Sequence, residues 1–85
     1  MELQQLRQQI DAIDKELIRL FCQRMEVSRQ IGAYKKERDL PVFVPQREQE
    51  KLADVARQAL GLSDYAKELY QTIFTLSRAY QNEVE

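Results

Sequence analysis

Apolar residues recur at alternating steps of three and four along the amino-terminal third of the chain. This spacing is typical of a helix that packs along a narrow seam. No proline or glycine interrupts it before Gly32. We therefore predict a helix from about Leu3 to about Lys36, roughly 50 Å long at about 1.5 Å per residue. The seam contains Leu3, Leu6, Ile10, Ile13, Leu17, Leu20, Val27 and Ile31, with Arg24 interrupting it.

The remaining segments are too short to cover a helix of that length in a compact monomer. A second copy lying alongside would cover it, because a two-fold axis brings the same surface of both chains together. A chain this short also buries only about 60–65% of its unfolded surface, so its own core is small. We expect an intertwined helical homodimer with the seam as its interface.

The stretch RDLPVFVP ends the first helix. Pro41 disfavours helical geometry in the residue before it, and Pro45 suits the first turn of a helix, where a missing N–H costs nothing. A second helix is predicted from about Pro45 to Leu60. Gly61 is a typical helix stop, and Ser63 is a typical helix start.

A last helix follows from a further series of three- and four-residue steps. We find no strand-like alternation, repeat or low-complexity segment. The predicted fold class is all-α: one long amino-terminal helix, an elbow and two shorter helices, in a single domain over residues 1–85. The apolar series of the last helix is Leu62, Ala66, Leu69, Ile73, Leu76, Tyr80 and Val84.

Composition narrows the range of partners. The formal net charge is -1 with the two signs nearly balanced, which disfavours nucleic acid as the main partner. No apolar run approaches the ~18 residues needed to span a bilayer, and the polar amino terminus is not a secretory signal. Cys22 is the single cysteine, so no internal disulfide can form, and we assign it to packing. These features predict a cytoplasmic protein without a membrane or nucleic-acid partner.

Composition also limits the chemistry, because the sequence contains no histidine. Without histidine, and with one cysteine inside an apolar stretch, the usual groups for acid–base, nucleophilic and zinc chemistry are missing. Any reaction of this protein must therefore need little proton transfer.

Two cations of the first helix share a face. Burying the charge of Arg24 in an apolar seam costs free energy unless an anion binds beside it. A bound anionic ligand is one interpretation, and a structural ion pair or a side chain that extends to the rim of the seam is an equal alternative. Lys35 is about 20° from alignment with it at 100° per residue, with the two Cα atoms roughly 16 Å apart. Together their side chains could grip a small anion. Alone, Lys35 would be an ordinary cation at a helix carboxyl end.

Other polar residues extend this set. Arg7 points roughly 100° away from the seam arginine, so it would reach a partner's pocket in a two-fold dimer, unless it is a surface arginine. Arg47 adds positive charge to a helix amino end, against the usual preference, whereas Glu48 fits there. Ser77 and Gln81 lie one turn apart on the last helix, as boundary residues or as the lining of a wet pocket. Together these groups predict a pocket for a small dianion.

The sequence resembles the all-helical class of chorismate mutases over nearly its whole length. That family's first helix is similar to LRQQIDAIDKELIRLFCQRMEVSRQIGAYK, with two ID pairs, an arginine in the apolar stretch and Gly-x-x-Lys. The segment leading into its second helix is similar to LPVFVPQRE, and its last helix is similar to YQTIFTLSRAYQ. The order and spacing of these features together are specific.

The resemblance implies that the protein converts chorismate to prephenate in phenylalanine and tyrosine biosynthesis, at an active site shared across a homodimer. Arg24 and the partner's Arg7 would hold the substrate's two carboxylates, with help from Ser77 and Arg47. No metal or cofactor is implied. The reaction is a one-molecule rearrangement, which a protein accelerates by restraining the substrate and by fixed positive charge.

The same resemblance implies roles for four further positions. Lys35 and Gln81 would meet the ether oxygen whose bond to carbon breaks, and Glu48 would accept the ring hydroxyl. Val44 stands where many members carry an acidic residue. If that position contributes through its backbone N–H, the change is mild, whereas a side-chain role would lower substrate affinity.

Two other functions stay open. An isochorismate pyruvate lyase would use the same scaffold and similar cations, but Glu48, in the place to accept chorismate's ring hydroxyl, favours the mutase. A non-enzymatic helical dimer that binds a protein or structured RNA would use the same seam. It would not predict that four polar residues converge on one cavity, namely Arg24, Lys35, Ser77 and Gln81. The sequence does not indicate whether the chain works alone or with another enzyme of the pathway.

Overall fold

A computed structural model describes residues 2–83. It contains three α-helices, α1 (Leu3–Glu37), α2 (Pro45–Ala59) and α3 (Ser63–Asn82), and one 3-10 turn, Leu60–Leu62, between the last two. No strand occurs among the described residues. The all-α prediction is therefore confirmed, and α1 and α2 end within one residue of the predicted positions.

The long helix α1 ends in a hydrogen-bonded turn before the proline is reached. Asp39 is left-handed, with a φ of 55°, and its N–H donates to the Lys36 carbonyl (3.3 Å). The Leu40 N–H donates to the Lys35 carbonyl (2.8 Å). This is the Schellman pattern of a helix end, and aspartate tolerates the left-handed conformation better than most residues. The backbone therefore ends α1 at Glu37, four residues before Pro41.

Residues 38–44 form the elbow between α1 and α2, and Pro45 occupies the first turn of α2 as predicted. The helix α2 ends at Ala59, two residues before Gly61 and close to the predicted stop, and the positive φ of 50° in this turn belongs to Leu60. Gly61 lies inside the 3-10 turn. The Ser63 hydroxyl closes this turn by donating to the Ala56 carbonyl (2.6 Å). Position 84, where the predicted apolar series ends, lies outside the described residues.

The helix α3 is the centre of the chain. It packs against α1 and against α2, whereas α1 and α2 make no close contact within residues 2–83. The buried apolar side chains described are Val55 and Phe74, and the buried polar ones are Ser28 and Ser77. The core of a single chain is therefore thin, and polar side chains form part of it.

Much of α1 is bare. Its buried and half-buried positions all lie between residues 21 and 35, while the seam side chains are exposed, from 40% at Leu6 to 63% at Ile13. The accessible surface is 6954 Å², whereas about 5,300 Å² is expected of a compact monomer of this mass. The radius of gyration is 15.9 Å, against about 12 Å for a compact chain of this length. The excess accessible surface comes from the uncovered amino-terminal half of α1, residues 3–20, which we call the bare half.

Two further predictions concern the surface. Cys22 is exposed, so it is not packed within the single chain as we expected, because α3 does not reach its side of α1. No helix in the described part of the chain is long and apolar enough to cross a membrane.

Candidate active site

A cavity of about 570 Å³ lies where the carboxyl-terminal half of α1, the elbow, the start of α2 and the end of α3 meet. Its walls come from parts of the chain that are far apart in sequence, so the fold brings them together. Seven of the eight residues selected from the sequence line it: Arg24, Lys35, Val44, Arg47, Glu48, Ser77 and Gln81.

The side chain of Arg24 reaches from α1 to α3. Its Nη1 donates to the Ser77 hydroxyl (2.9 Å), and its guanidinium carbon lies 5.7 Å from the Tyr70 ring centroid and 6.0 Å from that of Phe74. Aromatic faces attract a cation without neutralising it. None of the ion pairs found within residues 2–83 includes Arg24. The guanidinium is therefore held in place with its charge uncompensated by a carboxylate of the described chain.

A short series of hydrogen bonds joins α1 to α3 beside Arg24. The Gln81 Nε2 donates to the Ser28 hydroxyl (2.9 Å), which donates to the Ser77 backbone carbonyl (3.4 Å). The Gln81 Oε1 is buried and has no hydrogen-bond partner among the described residues. A buried acceptor left unsatisfied costs about 1–3 kcal/mol.

The position of Gln81 depends on Gly32. A Cβ at residue 32 would meet the Gln81 Cα and Cβ at 2.9 Å, and the Cα, being backbone, cannot swing away. Glycine inside a helix costs about 1 kcal/mol relative to alanine. The close approach of α3 is the physical reason for a glycine here, and it brings the Gln81 amide to the cavity wall.

The ammonium group of Lys35 connects α1 to the elbow. Its Nζ donates to the Val42 carbonyl (3.1 Å). An ammonium carries three hydrogens, so this bond fixes the group and leaves donors for a ligand. Val42 and Val44 line the cavity wall. Lys35 is therefore both a cavity cation and an anchor of the elbow.

The carboxylate of Glu48 forms an ion pair with Arg78 of α3. The side chains are 23% and 30% exposed, respectively. The Arg78 guanidinium also lies over the Phe43 ring, 4.7 Å from its centroid. One arginine therefore links α2, α3 and the elbow.

The cavity is strongly cationic although the chain as a whole is nearly neutral. Five cationic side chains line it, against the single carboxylate of Glu48. Cations in a cleft with low-dielectric walls concentrate their field on an anionic ligand. The arrangement suits a small, doubly negative compound. The cations are Arg24, Lys35, Arg47, Lys51 and Arg78.

Sequence reasoning missed two of these cations, Lys51 and Arg78. Both lie on helices where surface lysines and arginines are common, so no local pattern marks them. Gly32 did carry a signal, because a glycine within a long helix has a cost that a close approach explains.

The remaining predicted residue, Arg7, is exposed on the bare half of α1. It lies about 26 Å from Arg24 along the axis at about 1.5 Å per residue. The chain therefore does not bring Arg7 to its own cavity. Its place in a partner's cavity stays a prediction.

An exposed pair on α1 shows ordinary surface electrostatics. The Arg29 guanidinium hydrogen-bonds Glu26 (2.9 Å), and this bond lowers the pKa of the Glu26 carboxyl below its usual value. Neither residue lines the cavity.

Comparison with known proteins gives the class to which this fold and cavity belong. The family model described as chorismate mutase type II matches residues 6–82. The chain therefore belongs to the chorismate mutase type II family.

Individual relatives agree with this assignment. The bifunctional chorismate mutase/prephenate dehydratase of Aquifex aeolicus (strain VF5) is 37% identical over 73 residues, 86% of this chain and 18% of that protein. The T-protein of Enterobacter agglomerans is 41% identical over 61 residues, 72% of this chain and 16% of that protein. The T-protein of Haemophilus influenzae is 46% identical over 46 residues, 54% of this chain and 12% of that protein. The chain thus spans less than a fifth of the length of these relatives. No solved structure matched.

Proposed function

We propose that this chain catalyses the rearrangement of chorismate to prephenate, a step in phenylalanine and tyrosine biosynthesis. The observation that carries the proposal is a cavity with five cationic side chains and one carboxylate, in a chain of the chorismate mutase type II family. Chorismate is a small ring compound with two carboxylates, to which charged donors are complementary. The volume of about 570 Å³ falls within the usual range for small-molecule sites, about 300–1,000 Å³.

Arginines bind the two substrate carboxylates in this proposal. Arg24 takes one of them, because a planar guanidinium can donate two parallel hydrogen bonds to a carboxylate. The hydrogen bond to Ser77 orients Arg24 for that contact. The partner's Arg7 takes the second carboxylate, and Arg47 at the exposed rim adds to the attraction.

Lys35 and Gln81 act on the ether oxygen. A carbon–oxygen bond breaks while a carbon–carbon bond forms in the same molecule, no proton is transferred, and negative charge develops on that oxygen. The Lys35 Nζ and Gln81 Nε2 are donors already fixed by bonds to the Val42 carbonyl and the Ser28 hydroxyl. Removing one such preorganised donor from an enzyme costs about 2.7–4 kcal/mol of transition-state stabilisation.

The end of the cavity formed by the elbow and the start of α2 holds the ring of the substrate in this proposal. Glu48 accepts a hydrogen bond from the ring hydroxyl through its Oε1, since its Oε2 is paired with Arg78. Val44 supplies apolar wall. Confinement between these groups favours the compact conformer in which the two reacting carbons meet. Neither a metal nor a cofactor has a step in this scheme.

We propose further that two copies form an intertwined homodimer through the bare half of α1. The uncovered seam and the excess surface support this. A two-fold axis that brings the partner's Arg7 beside Arg24 passes midway between those positions, near residues 15 and 16. Ile13 and Leu17 would then pack next to the axis. A single domain over residues 1–85 and a cytoplasmic location stay predictions.

The direct test is an assay of the purified chain with chorismate and, separately, with isochorismate. Loss of chorismate is followed by ultraviolet absorbance, and the products are identified by NMR. We expect prephenate from chorismate, with activity lost in Arg24→Ala and kept in Arg57→Ala, an exposed arginine outside the cavity. Unchanged chorismate would refute the proposal, and pyruvate released from isochorismate would favour the lyase.

A further inference from the structure

Arg78 is a cavity cation that has no part in the rearrangement described above. We infer that Arg78 is a positioning residue: it neutralises and orients the Glu48 carboxylate, and it fixes the elbow over the cavity. The catalytic consequence of this inference rests on the proposed function. The positioning of the elbow and of the start of α2 does not.

The first reason is the sign of the charges. Glu48 is the single carboxylate among the cavity residues, and it is only 23% exposed, so water screens it incompletely. An unpaired carboxylate there would repel a doubly negative substrate. The ion pair with Arg78 cancels that charge and leaves the second carboxylate oxygen available as a hydrogen-bond acceptor.

The second reason is the elbow. Phe43 lies in the elbow with its side chain 52% exposed. Its ring is a platform for the Arg78 guanidinium. Lys35 holds the neighbouring Val42 carbonyl. The elbow is thus tied to α1 through Val42 and to α3 through Phe43.

The third reason is the shape of the side chain. A guanidinium donates to a carboxylate along its edge while its face stacks on a ring, whereas a lysine ammonium supplies only a point charge. The Arg78 guanidinium makes both contacts. Lysine at position 78 would therefore keep the neutralisation of Glu48 and lose the contact with Phe43.

A direct role for Arg78 in binding substrate makes a different prediction. If Arg78 acts on binding mainly through Glu48, most of the effect of its removal on KM disappears once residue 48 is neutral, and only the loss of the Phe43 contact remains. If Arg78 touches the substrate, its removal costs the same affinity whether residue 48 is charged or neutral. Substitutions at both positions separate these cases, because contacting residues give non-additive effects.

The experiment measures kcat and KM for chorismate in wild type, Arg78→Met, Arg78→Lys, Glu48→Gln and the Arg78→Met/Glu48→Gln double variant. We expect Arg78→Met to raise KM about tenfold or more with a smaller loss in kcat, because an uncompensated carboxylate mainly opposes binding. Arg78→Lys should recover most of the KM loss. In the Glu48→Gln background, Arg78→Met should raise KM by clearly less than it does beside Glu48, about threefold at most, because only the contact with Phe43 is then lost. An equal KM increase in both backgrounds, or an unchanged KM in Arg78→Met, would overturn the inference.

A matched control is Arg57→Met, which removes an arginine from an ion pair with Asp54 on the exposed side of α2. Its KM should stay at the wild-type value. Thermal unfolding of every variant identifies any activity lost through unfolding. If Arg78→Met does not fold, Arg78→Lys should still show faster amide exchange in the elbow than wild type, because it loses the contact with Phe43.

A second readout does not depend on activity. Hydrogen–deuterium exchange of the backbone amides in residues 40–48 should be at least about threefold faster in Arg78→Met than in wild type, because local opening follows the loss of tertiary contacts. Arg57→Met should leave that exchange unchanged. If wild type does not convert chorismate, the proposed function fails and exchange alone decides the inference. Exchange that is unchanged in Arg78→Met would then overturn it.

Discussion

The two halves of α1 follow the same three- and four-residue spacing but have opposite surroundings. From residue 3 to residue 20 every side chain is exposed, whereas residues 21–35 include all the buried and half-buried positions of the helix. The seam of the first half is uniformly apolar. In the second half Arg24, Ser28 and Gly32 occupy the face toward α3. Polar and small residues thus lie where α1 packs against α3 of the same chain beside the cavity. We attribute the uniformly apolar seam to contact with a second copy.

The free energies of side-chain burial support these different roles for the two halves of α1. Full burial of a leucine or isoleucine side chain contributes about 1.5–3 kcal/mol. The first half carries six such seam residues, so two copies together would gain far more than the few kcal/mol that a small domain has in reserve. The second half gains less from burial and instead positions donors. The six residues are Leu3, Leu6, Ile10, Ile13, Leu17 and Leu20.

We expect the largest effect on activity from a substitution in the second half of α1, residues 21–37, which lines the cavity. Lys35→Ala should lower kcat about 100- to 1,000-fold, because a fixed donor to the ether oxygen is lost. Size-exclusion chromatography should show an unchanged oligomeric state. Lys67→Ala, an exposed lysine of α3, is the matched control and should keep wild-type kcat. A kcat for Lys35→Ala within a few-fold of wild type would refute the proposed contact between Lys35 and the ether oxygen of the substrate.

A smaller effect on activity is expected from breaking the bare half alone. Ile13→Asp places a carboxylate in an apolar interface next to its two-fold copy, which costs several kcal/mol. Light scattering should then give a mass near the 10.1 kDa of one chain, and activity at low protein concentration should fall about tenfold or more. Gln8→Asp adds the same charge on the face opposite the seam. A variant Ile13→Asp that keeps the wild-type mass would place the interface elsewhere.

The sequence predicted the helices and most of the cavity, because those signals are local. Apolar spacing and the positions of Pro41 and Pro45 set the bounds of α1 and α2 closely. The sequence did not predict the conformation of the turn after α2, where Leu60 rather than Gly61 has the positive φ. The pairing of Arg78 with Glu48 was missed, because it depends on how α3 packs against α2.

We expect the smallest effect on activity from a substitution where α1 and α3 approach most closely, at Gly32. Gly32→Ala would push the end of α3 away from α1, since the new Cβ meets backbone at 2.9 Å, and overpacking of this kind costs about 1–3 kcal/mol. The melting temperature should fall by about 4–8 °C for each kcal/mol, and kcat should fall several-fold as the Gln81 amide moves. Gly61→Ala is the matched control, because no atom lies within 4 Å of its Cβ. Equal melting temperatures for the two variants would exclude the close-approach explanation.

If the bare half of one α1 completes the cavity of its partner, two inactive variants should restore activity when their chains are mixed. Arg7→Ala and Arg24→Ala are each expected to lose nearly all activity as pure proteins. After they are unfolded together in equal amounts and refolded, about half of the dimers should be mixed and each should hold one intact site, so about a quarter of wild-type activity should return. Activity that stays at the level of the separate variants would contradict a site shared between two chains.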